Sequence, residues 1–237
     1  MSDHGIGLQW TPERPTSLQT IAAHSSCVYQ ALFSPHTPQT IATCSTDGTL
    51  KIFDLRQPIS VTPDNAVAKP ALLIPAHGSE ILSIDWNKYR PWVIASASVD
   101  RTAKVWDCRM IESGAAPGGG GQVGGICETS LQGHEYAVRK VQWSPHRADL
   151  LATASYDMTC RVCVLLPSFF ELLLTHKFRF SLFIRWSTTP QAAQPPLRAI
   201  HDLHTEFVAG CAWSLYDEGL LASCSWDHSV HLFRPAV

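Results

Sequence analysis

Charge is scarce in this chain. Lys, Arg, Asp and Glu make up 16% of its 237 residues, with a formal net charge of −2, whereas about a quarter of an average soluble domain is charged. That balance gives no broad electrostatic reason to bind DNA, RNA or an acidic membrane, so no nucleic-acid partner is expected. No apolar run reaches the roughly 20 residues of a membrane helix. The nearest, CVLLPSFFELLLTHKFRFSLFIR at 163–185, is broken by Pro167, Glu171, His176, Lys177 and Arg179, so direct membrane insertion is not expected. Eight cysteines are too sparse for a disulfide scaffold, and most sit beside small residues in strand-like runs, which reads as reduced, buried thiols. The opening MSDHGIG lacks the basic and apolar regions of a secretory signal, and the closing RPAV matches no lipidation or retention signal; a cytosolic protein is the expectation. Convincing amphipathic helices are lacking outside 163–185. The glycines of GAAPGGGGQVGG (114–125) are not followed by the Lys-Ser/Thr of a phosphate loop, so 110–126 reads as a flexible Gly-rich loop.

What the chain does have is an internal repeat. Four copies align without a gap. A His is followed nine residues later by an aromatic: His24/Phe33, His77/Trp86, His134/Trp143 and His204/Trp213. Twenty-one residues after each His stands a Ser (Ser45, Ser98, Ser155, Ser225), and two further on an Asp (Asp47, Asp100, Asp157, Asp227). Six beyond the Asp come Phe53, Trp106, Cys163 and Phe233. Within each copy the segments read as short strands. CVYQALFSP and AVRKVQWSP alternate apolar and polar residues and stop at Pro, a half-buried strand pattern. TIATCS, VIASAS and LLATAS are compact apolar runs suited to burial on both faces, GTLKIFD and RTAKVWD favour β structure, and a more variable strand such as ALLIP precedes each His.

Four-stranded units with Gly-His and Trp-Asp signatures, as in LQGH…SYD and HGSE…KVWD, resemble WD repeats. The expected fold is all-β: a WD-repeat β-propeller with four recognisable blades, an incomplete arc of a seven-bladed ring. Residues 1–237 form one propeller region, with repeats at about 16–56, 70–109, 127–162 plus 186–190, and 197–235. Residues 1–15, with Leu8-Gln9-Trp10, resemble the worn tail of a preceding blade but do not match its Asp-to-Trp spacing, and the chain reads as the C-terminal portion of a longer protein. The resemblance implies a structural role for the recurring residues. The Asp accepts from the His N–H, the other imidazole nitrogen meets the Ser hydroxyl, and that hydroxyl accepts from the Trp indole. Phe53 and Phe233 lack the indole donor.

His, Ser and Asp together also fit a hydrolase triad, but a set repeated four times at one spacing reads as architecture, and no G-x-S-x-G elbow is present. Catalytic residues and cofactors are therefore not expected. Cys160-Arg-Val-Cys163 is formally a C-x-x-C. Its thiols would point to opposite faces of a strand, and the only further ligand pairs, His201-x-x-His204 and His228-x-x-His231, include a tetrad His. No metal is expected.

The third copy breaks after Val162. Removing Cys163 to Arg185 joins Arg161-Val162 to Trp186, which would restore the aromatic six residues after Asp157. Residues 163–185 therefore read as an anomalous insertion, with a retained intron or assembly artefact favoured over an adaptive insertion. A mature transcript lacking these codons would support the artefact.

Details peculiar to each blade go further. IPAHGSEILSIDWNKY, GHEYAVRKVQWSPHRADLLATASYDMT and HTEFVAGCAWSL…SCSWD, in that order, with CVYQALFSPHTPQTIATCSTDGTLKIFD ahead of them, resemble the peroxisomal receptors for the type-2 (N-terminal) targeting signal. That resemblance covers about 16–162 and 186–235. It implies a non-enzymatic import receptor of cytosol and peroxisomal matrix. Its partners would be matrix proteins bearing the signal, together with a co-receptor and docking proteins. A cargo helix carrying Arg and His beside Leu wants an acidic, partly apolar surface. In a propeller the His turns and Asp turns share one rim, where Glu80, Tyr156, Glu206 and Trp226 are the expected peptide contacts. The alternative reading is a generic WD scaffold for a chromatin or ubiquitin-ligase complex.

Overall fold

The structure is a computed structural model that describes residues 5–9, 19–56, 69–115, 122–165 and 196–236. Among these residues every regular element is a β-strand. Strands β3 (Val28–Phe33), β4 (Thr40–Ser45), β5 (Thr49–Asp54) and β6 (Leu72–Pro75) form the first blade. The second comprises β7 (Ile81–Trp86), β8 (Val93–Ser98), β9 (Ala103–Ala115) and β10 (Gln122–Leu131). The third holds β11 (Val138–Trp143), β12 (Leu150–Ser155), β13 (Cys160–Val164) and β14 (Leu197–His201), the fourth β15 (Val208–Trp213), β16 (Leu221–Ser225) and β17 (Val230–Phe233). Ahead of them β1 (Gly5–Gln9) pairs with β2 (Gln19–His24).

Consecutive strands pair antiparallel within each blade, so each blade is an up-and-down meander. The small-residue strands β8 and β12 are buried at every position. Each is covered on both faces by neighbouring blades, and large side chains there would force the sheets apart. Apolar clusters lie at the seams: Ile84, Trp86 and Ile94 of the second blade pack with Leu50, Ile52 and Ile74 of the first. Val93 and Val105 meet Val141 and Trp143 of the third blade, and Leu150 and Val162 meet Val208 and Trp213 of the fourth.

The innermost strands β3, β7, β11 and β15 lie side by side, and one polar side chain on each of the first three reaches the next. Gln30 Oε1 accepts from Ile84 N at 3.0 Å, Asp85 Oδ2 from Trp143 N at 2.8 Å, and Gln142 Oε1 from Trp213 N at 3.0 Å. Buried backbone N–H groups that the alternation leaves without a ladder partner are thereby satisfied. Burial raises the Asp85 carboxyl above the ordinary range, against the pull of the Lys88 ammonium 2.8 Å away.

Two expectations need correction. The expected 110–126 loop is narrower than that: β9 runs on to Ala115 and β10 starts at Gln122, the two paired antiparallel, while residues 116–121 lie outside the described residues. The start of β10 adds Gln122 and Val123 in parallel to Leu72 and Leu73, joining the first two blades into one eight-stranded sheet. Backbone pairing carries this extension, and glycines do not forbid it. Gly125, at φ +89°, lies against Ile74 so closely that a Cβ would come within 2.7 Å of it.

The second correction concerns the third blade. β13 continues through the proposed break: Cys163 stands opposite Leu151, the register at which Ile94 faces Trp106 and Ile41 faces Phe53. Cys163 and Leu165 are buried in the seam with the second blade, so the first residues of the 163–185 segment complete the strand. The rest of that segment and the resumed repeat at 186–190, with Trp186, lie outside the described residues, as do residues 10–18.

Candidate functional site

At one end of each blade the His before the inner strand meets the Asp of the turn between the second and third strands. Nδ1 of His24, His77, His134 and His204 lies 2.9, 2.8, 2.7 and 2.8 Å from Oδ2 of Asp47, Asp100, Asp157 and Asp227. The hydroxyl beyond the imidazole is not that of Ser45, Ser98, Ser155 or Ser225. Nε2 meets Thr43, Ser96, Thr153 and Ser223, at 2.8, 2.7, 2.9 and 2.8 Å. Residues i and i+2 share a strand face, so alternation could not separate the two candidates; depth does. The imidazole carries its second nitrogen one ring-width into the blade, past the Ser at the turn. That Ser accepts instead from the backbone N–H of the Asp, at 3.2 Å for Ser45, 3.1 Å for Ser98, 3.1 Å for Ser155 and 3.3 Å for Ser225.

The second blade alone of the described four completes the chain with an indole: Trp106 Nε1 donates to Ser96 Oγ at 3.0 Å. Phe53 is buried and Phe233 half-buried at the corresponding place, and Cys163 takes it in the third blade.

Burial acts to raise the Asp47, Asp100 and Asp157 carboxyls, but bonds from the paired imidazole and from Thr49, Thr102 and Thr159 hold all three below the ordinary range. Asp227 is lowered chiefly by the bond from Ser229, then by His204. Burial also lowers His77, against the pull of Asp100. These are bonds within the fold.

The rim above these networks is organised by a repeated backbone bond. Thr46, Val99, Tyr156 and Trp226 donate N–H to the carbonyls of Cys27, Glu80, Ala137 and Phe207, at 3.1, 3.0, 3.0 and 3.1 Å. Each blade thus presents the residue three after its His beside the residue one before its Asp. Tyr156, Phe207 and Trp226 come together across the seam of the third and fourth blades, with ring centroids 5.1, 5.3 and 6.1 Å apart. Trp226 remains 59% exposed, enough to offer an indole face to a ligand. Glu206 is exposed next to Phe207. Glu80 stands at the first seam, where Tyr29 Oη donates to its Oε2 at 3.4 Å. Burial first, and then the Glu80 charge, raise the Tyr29 phenol. Tyr156 and Trp226 are therefore in one cluster, while Glu80 belongs to a different seam of the same rim. Phe207 is the member that sequence reasoning left out, although its offset from His204 already placed it there.

The C-x-x-C thiols part company: Cys160 packs at the seam with the fourth blade and Cys163 at the seam with the second. Burial raises the Cys163 thiol to about 11 and the Cys44 thiol to about 12, which makes both poor nucleophiles.

Three- and four-stranded antiparallel blades, each with a His–Asp bond at its turn, define a β-propeller of WD repeats. The description "WD domain, G-beta repeat" matches residues 15–54, 68–107, 125–163 and 196–234, more than half of the chain, and the chain belongs to that family. Among curated proteins it is similar to the "Peroxisomal targeting signal 2 receptor" of Saccharomyces cerevisiae. The two are 32% identical over 230 residues, which is 92% of this chain and 55% of the relative. The protein of the same name from Komagataella phaffii is 39% identical over 212 residues, 89% of this chain and 50% of the relative. A "Histone acetyltransferase type B subunit 2" from Neurospora crassa is 29% identical over 139 residues, 59% of this chain and 29% of that protein. The chain spans about half the length of the curated receptors it matches.

Proposed function

We propose that this chain is the peptide-binding portion of a peroxisomal import receptor that recognises type-2 targeting signals on matrix proteins without catalysing a reaction. The observation that carries the reading is the similarity to proteins named as receptors for that signal, along about nine-tenths of the chain. The rim supports it. An amphipathic helix with Arg or His beside Leu would set its apolar face on Tyr156, Phe207 and Trp226, and its cations toward Glu206, Glu135 or Glu80. Tyr136 and Trp226 are more than half exposed; large aromatics with polar edges are frequent anchors of such contacts. Delivery would require a co-receptor and docking proteins, with the receptor moving between cytosol and peroxisome.

The experiment is fluorescence anisotropy with a labelled type-2 signal peptide, on the parent and on E80K/E206K. The variant should bind at least tenfold more weakly while its thermal melt stays put, and unchanged affinity removes this patch from the site. The shorter match to the histone acetyltransferase subunit supports a scaffold as second reading. A pull-down separates the two, since a scaffold would ignore the signal peptide and recover complex subunits.

A further inference from the structure

The seam between the third and fourth blades departs from the repeat at two places that touch each other. Three residues before the tetrad His the other blades carry Ile21, Ile74 and Leu131, all buried; here stands His201, half-buried at the end of β14. Four residues after the tetrad Asp the others carry Lys51, Lys104 and Arg161; here stands His231 on β17. In the first two blades that lysine ties down the chain before the His, Lys51 Nζ donating to Ala23 O at 2.8 Å and Lys104 Nζ to Ala76 O at 2.9 Å. An imidazole is too short for that bond. Instead His201 Nε2 and His231 Nδ1 face each other at 2.9 Å.

Stacking holds both rings. His201 lies flat on Phe233, with centroids 4.0 Å apart and planes within 7°, and His231 lies on His204 at 4.1 Å and 8°. A chelating pair arranged in advance loses little side-chain freedom on binding an ion. His201, His204 and His231 bring their ligand atoms within 4.8 Å of one another. His204, however, is committed on both nitrogens, to Asp227 and Ser223, which leaves two imidazoles to bind.

We propose that His201 and His231 form a two-imidazole site for a divalent first-row transition ion, spanning the third and fourth blades. Imidazole nitrogens bind such ions at about 2.0–2.1 Å, and two nitrogens 2.9 Å apart then subtend about 90° at the metal. That angle suits the square or octahedral preferences of nickel and copper better than the tetrahedral preference of zinc. Water fills the remaining positions. The proton shared by the facing nitrogens passes to the outer nitrogen of the ring that held it, and two coordinate bonds then clamp β14 to β17. The site uses neither the rim aromatics nor its carboxylates, so it stands or falls independently of the receptor reading.

The probe is Ni²⁺ alone, in equilibrium dialysis with the untagged full chain. His231→Lys and His201→Leu rebuild the residues of the other blades and are expected to fold, and exposed His228→Asn is the control. The parent and the control should bind one more ion, at least tenfold more tightly, than either rebuilt variant. On the unaltered chain, Ni²⁺ should also shield His201 and His231, but not His228, from carbethoxylation by diethyl pyrocarbonate, mapped by mass spectrometry. Equal stoichiometry and affinity in parent and rebuilt variants, or equal labelling with and without Ni²⁺, overturns the proposal.

Discussion

At the scale of single residues, Ser96 and Ser98 make the sharpest contrast. They are two apart on one strand and equally buried, yet Ser96 joins an imidazole to an indole while Ser98 receives one turn N–H. Ser96→Ala leaves two buried groups without a partner and should cost about 1–3 kcal/mol. Ser98→Ala removes one neutral bond and should cost about 0.5–1.5 kcal/mol. Urea denaturation midpoints would rank them, and a larger loss for Ser98→Ala would return the tetrad to the serine read from spacing. Acid acts on the same network. The turn carboxylates titrate below their ordinary range, so their contribution is present above about pH 4 and is lost as pH falls below it. His77 is also lowered. The unfolded chain then binds its proton first, and stability begins to fall as pH drops below about 6.5. Denaturation midpoints measured from pH 8 to 3 should decline first below about 6.5 and more steeply below about 4, and a flat profile would contradict it.

At the scale of elements, the turn after each tetrad Asp has one demand. The residue there adopts a left-handed backbone in all four blades: Gly48 at φ +72°, Arg101 at +70°, Met158 at +67° and His228 at +66°. Only the first blade meets the demand with glycine. A Cβ on Gly48 would lie 2.5 Å from the carbonyl of His77, so Gly48→Ala adds a clash at the seam to the roughly 1–2 kcal/mol of left-handed strain. Met158 already bears that strain, and Met158→Gly should raise stability by about 1 kcal/mol. Opposite shifts of the thermal midpoint in these two variants are the expected result.

At the scale of the whole molecule, the blades bring distant residues to a common end. Tyr156 and Trp226 meet because the Asp turns of the third and fourth blades lie side by side. If the rim grips a peptide, Trp226→Ala should weaken binding of a type-2 signal peptide by about tenfold or more, a hot-spot-sized effect. Stability should hardly change, since the indole is largely exposed. Calorimetric titration alongside a thermal melt checks both, and intact affinity in the variant would remove the aromatic cluster from the site.

The propeller class was legible in the amino-acid sequence because a repeat multiplies weak signals. A His, an Asp and an aromatic at constant offsets in four copies leave little freedom in strand count or turn position. Rim membership followed too, being an offset from those marks. Other features were decided only by packing in three dimensions. Which of two hydroxyls on one strand face meets an imidazole depends on ring depth, and alternation is blind to that. The strand through Cys163 persists because β12 and β14 offer it backbone partners, whatever side chain occupies the slot. The pairing of β9 with β10 likewise rests on N–H and C=O groups, to which Gly124 contributes like any other residue. The His201–His231 contact joins two blades through side chains thirty positions apart, a proximity that no local spacing encodes.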